Sequence, residues 1–84
     1  MRVKCSDGKI FEGKNYRDVV EKIRADSWFP EATKALWMRA AAHRAEVQTG
    51  AVVSVPETGK VTEKDAKTFI CDLVDAALLT ILEL

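Results

Sequence analysis

Met1-Arg2-Val3-Lys4-Cys5-Ser6-Asp7-Gly8-Lys9-Ile10-Phe11-Glu12-Gly13 is the stretch whose reading decides the fold. Residues 2–6 and 9–12 are short strand-like segments on either side of Asp7-Gly8. Asp-Gly suits a two-residue type I′ turn, in which both positions need positive φ. In that register Cys5 faces Ile10. Val3 and Cys5 then share one face of the hairpin, Lys4 and Phe11 the other, and Gly13 ends it. A two-stranded hairpin is only marginally stable by itself, so the rest of the chain has to supply a third strand and a cover.

Beyond Gly13 the period changes. Asn15 has the character of an N-cap, with Asp18 three residues on in the place of a capping-box acid. Tyr16, Val19, Val20 and Ile23 follow at helical spacing, predicting a first helix over about 16–26. Ser27-Trp28-Phe29-Pro30 breaks it, because a residue before proline avoids the α region. Pro30 fits the first turn of a second helix over about 31–48, which stops at Thr49-Gly50. Ala51-Val52-Val53-Ser54-Val55 is a β-branched run suited to a third strand, and Pro56-Glu57-Thr58-Gly59 is a turn. Thr62 and Asp65 cap a last helix whose apolar face is Ala66, Phe69, Ile70, Leu73, Val74, Ala77, Leu78 and Ile81. That helix either runs to 82 or breaks near 77 and finishes as a short strand. The expected architecture is α+β, in the order ββααβα, with a three-stranded sheet and three helices packed on one face.

With 84 residues, the chain allows a single domain over 1–84. Hydrophobic residues make up 48% and charged residues 31%, a balance that sets disorder aside. Net charge is zero, yet residues 1–44 hold ten Lys/Arg against six Asp/Glu, and residues 45–84 three against seven. Cys5 and Cys71 stand far apart with no secretory signal ahead of them, so they read as free thiols in a cytoplasmic protein. No run reaches the ~20 apolar residues that span a bilayer.

Catalytic schemes fail on inventory. His43 is the single histidine, the cysteines form no CxxC pair, and Gly8, Gly13, Gly50 and Gly59 are isolated. A metal site and a glycine-rich phosphate loop are therefore not expected, nor is any cofactor. A Cys–His pair from His43 with Cys5 or Cys71, and paired carboxylates from Asp72 and Asp75, are the residual enzymatic options. A buried cysteine acting as a small hydrophobe and a solvated acidic face explain the same residues without chemistry.

The second helix carries more information. At 100° per residue, Leu36, Ala40, His43 and Val47 cluster on one side, and Trp37, Met38, Ala41, Ala42 and Ala45 on the other. A surface helix needs one apolar stripe. Two stripes leave two arrangements open, a helix sandwiched within the fold or one presenting a face to a partner. For the second, Trp37, Met38 and Arg44 are the expected contacts, since Trp, Met and Arg are enriched at interface centres. Trp28 and Phe29 are either buried hinge aromatics or further anchors. Arg2, Lys4, Lys9, Lys14, Arg17, Lys22 and Arg24 form a basic strip for nucleic acid, diluted by Asp7, Glu12, Asp18, Glu21 and Asp26.

The layout resembles a group of small proteins of unknown function carried by bacterial phages and integrative elements. The resemblance lies in the hairpin Asp7-Gly8-Lys9-Ile10-Phe11-Glu12-Gly13 and in a helix over Val19–Ser27 ending in Trp28-Phe29. It continues in Trp37-Met38-Arg39 through Arg44, in Gly50 before a Val-rich strand, and in Thr68-Phe69-Ile70 with Leu73. Where that pattern would have glycine after the last helix, this chain has Ala77. The resemblance implies a compact accessory protein that acts by binding a host protein or complex. Inhibitors of bacterial defence, anti-CRISPR proteins among them, are similar in size and in lacking catalytic motifs. The expectation is a non-enzymatic protein-binding module that occupies a surface of such a complex. A nucleic-acid-binding regulator using the hairpin and first helix, and a structural homodimer, are the alternatives.

Overall fold

The computed structural model describes residues 1–27, 31, 33–57 and 59–84. Its elements run β1 (Arg2–Cys5), β2 (Ile10–Glu12), α1 (Tyr16–Asp26), α2 (Lys34–Thr49), α3 (Glu63–Asp75) and β3 (Leu79–Glu83). The α+β class, the three strands and the three helices are those expected. Their order is ββαααβ, because the third strand follows the last helix and is not formed by residues 51–55. The sheet is antiparallel throughout, in the order β2-β1-β3.

The hairpin loop is one residue longer than the Asp-Gly reading gives. The Cys5 carbonyl accepts from Gly8 N–H at 2.9 Å, and Cys5 N–H donates to the Lys9 carbonyl at 2.8 Å. Gly8 has φ 95°, which is the left-handed position that a three-residue hairpin loop places after its turn. A one-residue slip exchanges the faces of a strand. Val3 therefore pairs with Phe11 and Lys4 with Ile10. Phe11 joins Val3 on the inner face, and Ile10 turns outward at 56% exposure.

Asp72 and Arg39 take up the segment expected as the third strand. Residues 51–55 adopt no regular secondary structure. The Asp72 carboxylate accepts from Ser54 N–H at 2.8 Å, and Arg39 Nη2 donates to the Pro56 carbonyl at 3.2 Å. Val53 and Pro56 are buried, while Val52 and Val55 are exposed. The β-branched run fits a half-buried surface, which is what strand propensity measures. Here that surface is the flank of α2 and α3, and β3 pairs with β1 in its stead, with Val3 opposite Ile81 and Cys5 opposite Leu79.

The turn into β3 is a Schellman motif with alanine in the glycine position. Leu78 N–H bonds to the Leu73 carbonyl at 2.9 Å and Ala77 N–H to the Val74 carbonyl at 3.0 Å, the 6→1 and 5→2 pattern of that motif. Ala77 has φ 62°, a region costing an L-residue roughly 1–2 kcal/mol.

The helix starts follow the sequence closely. Asn15 Oδ1 accepts from Asp18 N–H, and Glu63 of α3 accepts from Tyr16 and Arg17 N–H, both at 2.9 Å. The first carboxylate of α3 thus closes the N-terminus of α1, where the helix dipole favours negative charge. Thr62 and Asp65 form the reciprocal capping box of α3. The second helix begins at Lys34, capped by Thr33, three residues after the expected start, and ends at Gly50. Helices α1 and α3 lie side by side over the inner face of the sheet. Helix α2 packs on α1, and its Trp37 ring meets Phe69 of α3 edge-on at 6.0 Å. Val3, Val19, Val20, Met38, Phe69 and Ile70 are the fully buried centre of the core.

Backbone hydrogen bonds, from Lys14 and Thr62 respectively, hold the carboxyls of Asp18 and Asp65 below their ordinary value. A lowered native value gives stability that is present above the unfolded value of 3.8 and lost as pH falls through the native one. Asp65→Asn should therefore flatten the acid limb of a plot of melting temperature against pH. Ala77→Gly should raise stability by about 0.5–1 kcal/mol, read as a higher urea midpoint at unchanged slope.

Candidate functional site

Helix α2 divides its two apolar stripes between core and solvent. Trp37 is 4% exposed and Met38 is fully buried, with Ala35, Ala42 and Ala45 beside them. Trp37 Nε1–H donates to Ser27 Oγ at 3.0 Å, which satisfies its one polar group. Trp37 and Met38 are therefore core residues and not partner contacts. They carry the seam between α2, α1 and α3, which a small domain needs before it can spare aromatic area for a surface. Trp28 and Phe29 lie outside the described residues.

The outward stripe is Leu36, Ala40, His43 and Val47. Leu36 is 46% and Val47 72% exposed, and His43 is exposed between them. The sandwiched arrangement does not hold for this face. Arg39 and Glu46 flank it on one side and Arg44 on the other, all exposed. The segment with the exposed Val52 and Val55 is tied to the Arg39 flank through Pro56. Sequence reasoning found this stripe, but it placed Trp37 and Met38 among the contacts because Trp and Met are common anchors, while the third expected contact, Arg44, is exposed on the flank of the outward row.

Arg44 lies at a cleft of about 410 Å³ between the hairpin, the end of α1 and α2. Cys5, Phe11 and Ile23 are among its apolar lining, and Lys9 and Asp26 form an ion pair at 2.9 Å at its rim. Burial, and then the Asp7 carboxylate, push the Cys5 thiol up from its usual value. A thiol held protonated is a poor nucleophile. Arg44 is thus brought together with Cys5, while His43 belongs to the outward row. Asp72 serves as the acceptor for Ser54 N–H, so one of the two candidate paired carboxylates has a structural task. No group of three or more potential metal-ligating side chains converges among the described residues, and no helix among them is long and apolar enough to cross a membrane.

The basic strip is largely neutralised. Arg2 pairs with Glu83 across the sheet, Lys9 with Asp26, Lys22 with Asp18 and Arg24 with Glu21. Phosphate binding draws on net positive potential, and four of the seven basic residues face a carboxylate of their own chain.

Trp37→Ala should cost about 3–5 kcal/mol in chemical denaturation, the range of a core aromatic, in place of the near-neutral effect of a surface contact.

Comparison of the chain with protein families, with curated proteins and with solved structures finds no match.

Proposed function

We propose that this chain is a protein-binding module whose contact surface is the outward face of α2. The observation that carries the reading is the row of Leu36, Ala40, His43 and Val47 along one side of a 16-residue helix, two of its members being large apolar residues in water. Single exposed apolar residues are ordinary on a protein surface. Two of them at the ends of a row at i, i+4, i+7 and i+11, with Ala40 and His43 between and charge on the flanks, match the spacing of helix-mediated recognition. The flanks have the composition of an interface rim, with Arg39, Arg44 and Glu46 around an apolar centre.

For Cys5, burial and then the Asp7 carboxylate push the thiol up from its usual value, which weighs against its use as a nucleophile. The ion pairing of the basic strip favours a protein partner over nucleic acid. The resemblance to phage and integrative-element accessory proteins adds a target class, a bacterial defence complex whose surface the module would occupy. That part rests on the sequence alone.

Leu36→Glu and Val47→Glu each place a charge in the row without touching the core. Tagged wild-type protein, exposed to nuclease-treated bacterial lysate containing active defence effectors, should retain a partner at stoichiometric yield, and both variants should lose it while keeping the wild-type circular dichroism and melting temperature. Equal recovery by wild type and variants would place the contact surface elsewhere.

A further inference from the structure

The outward face of α2 is self-complementary, and we propose that its occupant is a second copy of this chain, docked antiparallel about a two-fold axis. This inference rests on the reading of that face as a binding surface and names its occupant in the free protein, which a host partner on the same face would have to displace.

The spacing of the row is +4, +3, +4, which is the alternation of d and a positions over two heptads. With Leu36 and His43 at d and Ala40 and Val47 at a, Met38 and Ala45 fall at f, directly opposite the seam. Both are buried in the chain's own core, so the seam points away from it. In an antiparallel pair of such helices, a faces d. Leu36 then packs against Val47 of the second copy, and Ala40 against its His43. The two large apolar side chains meet each other, small Ala40 leaves room for His43, and the pattern repeats on the other side of the axis, as a two-fold interface requires.

Charge fixes the orientation. Arg39 and Glu46 occupy g positions and Arg44 an e position. Antiparallel pairing sets g against g, bringing Arg39 of each copy to Glu46 of the other, two symmetric opposite-charge pairs. Parallel pairing sets g against the following e, bringing Arg39 to Arg44 twice over, which repels. The same residues thus favour one arrangement and disfavour its rival. Arg39 remains able to pair, because Nη2 makes its contact with the Pro56 carbonyl and the guanidinium fork has further donors. The α2 seam spans only 16 residues, so the dimer belongs to the small, reversible class of interface.

The test is sedimentation equilibrium of the full chain over a concentration series, with Arg39→Glu, Glu46→Arg, the double exchange and Leu36→Glu. The expected result is a concentration-dependent dimer. Each single exchange should weaken it by about tenfold or more, since it turns two attractive pairs into two repulsive ones, and the double exchange should restore it. Glu46→Arg leaves the Arg39–Pro56 contact in place, so its effect cannot be assigned to loosening of that segment. A monomer up to about 1 mM, weaker than the millimolar end of measurable association, would overturn the proposal. A dimer indifferent to the single exchanges, or one the double exchange fails to restore, would overturn it as well. Lysate capture that Leu36→Glu abolishes, together with a monomeric chain, would sink the dimer and keep the binding face. Indifference of both experiments to Leu36→Glu would sink both.

Discussion

The pairing of β3 on β1 is the constraint on which the other features depend. It makes β1 the central strand, with Val3 fully buried between Phe11 and Ile81. An edge strand of four residues would leave that valine half in water. The pairing also fixes the end of α3, since the chain must reverse within Ala76-Ala77-Leu78 to return along β1. The Schellman hydrogen bonds achieve this at the cost of a left-handed alanine. With β3 in that place, residues 51–55 have no strand to join on the β3 side of β1. They lie along the helices, held by Asp72 and Arg39. The exposed face of α2 is what remains after these placements.

Local chemistry was well legible in the sequence. The caps at Asn15, Thr62 and Gly50 each satisfy backbone groups within a few residues, so composition and spacing suffice to locate them. What escaped were decisions made by tertiary structure. Asp7-Gly8 is compatible with a two-residue or a three-residue loop, and the choice moves Phe11 from one face to the other. The Val-rich run at 51–55 has the propensity of a strand, yet propensity reports a fit to a half-buried surface and does not name the surface. The break near 77 with a short final strand is one of the two endings the sequence left open, and the choice was not forced because the left-handed position that glycine would have announced is filled by Ala77.

The second helix shows the same limit at the candidate site. Its two apolar stripes were visible from a helical projection, and one of them does face solvent. Which one could not be read from residue type. Trp37 and Met38 have the character of interface anchors, but they are also large apolar residues that α2 can supply to the junction of three helices in an 84-residue chain. Small domains bury a low fraction of their surface, so the core takes the large side chains first. The face left outside carries medium-sized residues, Leu36 and Val47, with Ala40 and His43 between them.

That division has an energetic consequence. An apolar side chain of the size of leucine or valine gains about 1.5–3 kcal/mol when fully withdrawn from water, and the stability of a whole domain is only some 5–15 kcal/mol. Leu36 and Val47 are 46% and 72% exposed, so covering the α2 row withdraws the remaining part of each from water and gains a fraction of the full-burial amount per side chain. Whatever binds the native face and not the unfolded chain stabilises the fold by mass action. The Trp37–Phe69 junction lies behind that row on the same helix. On the proposed reading, occupying the outer face would hold α2 in the position that Trp37 and Met38 require from within, so recognition and core packing would act through a single helix.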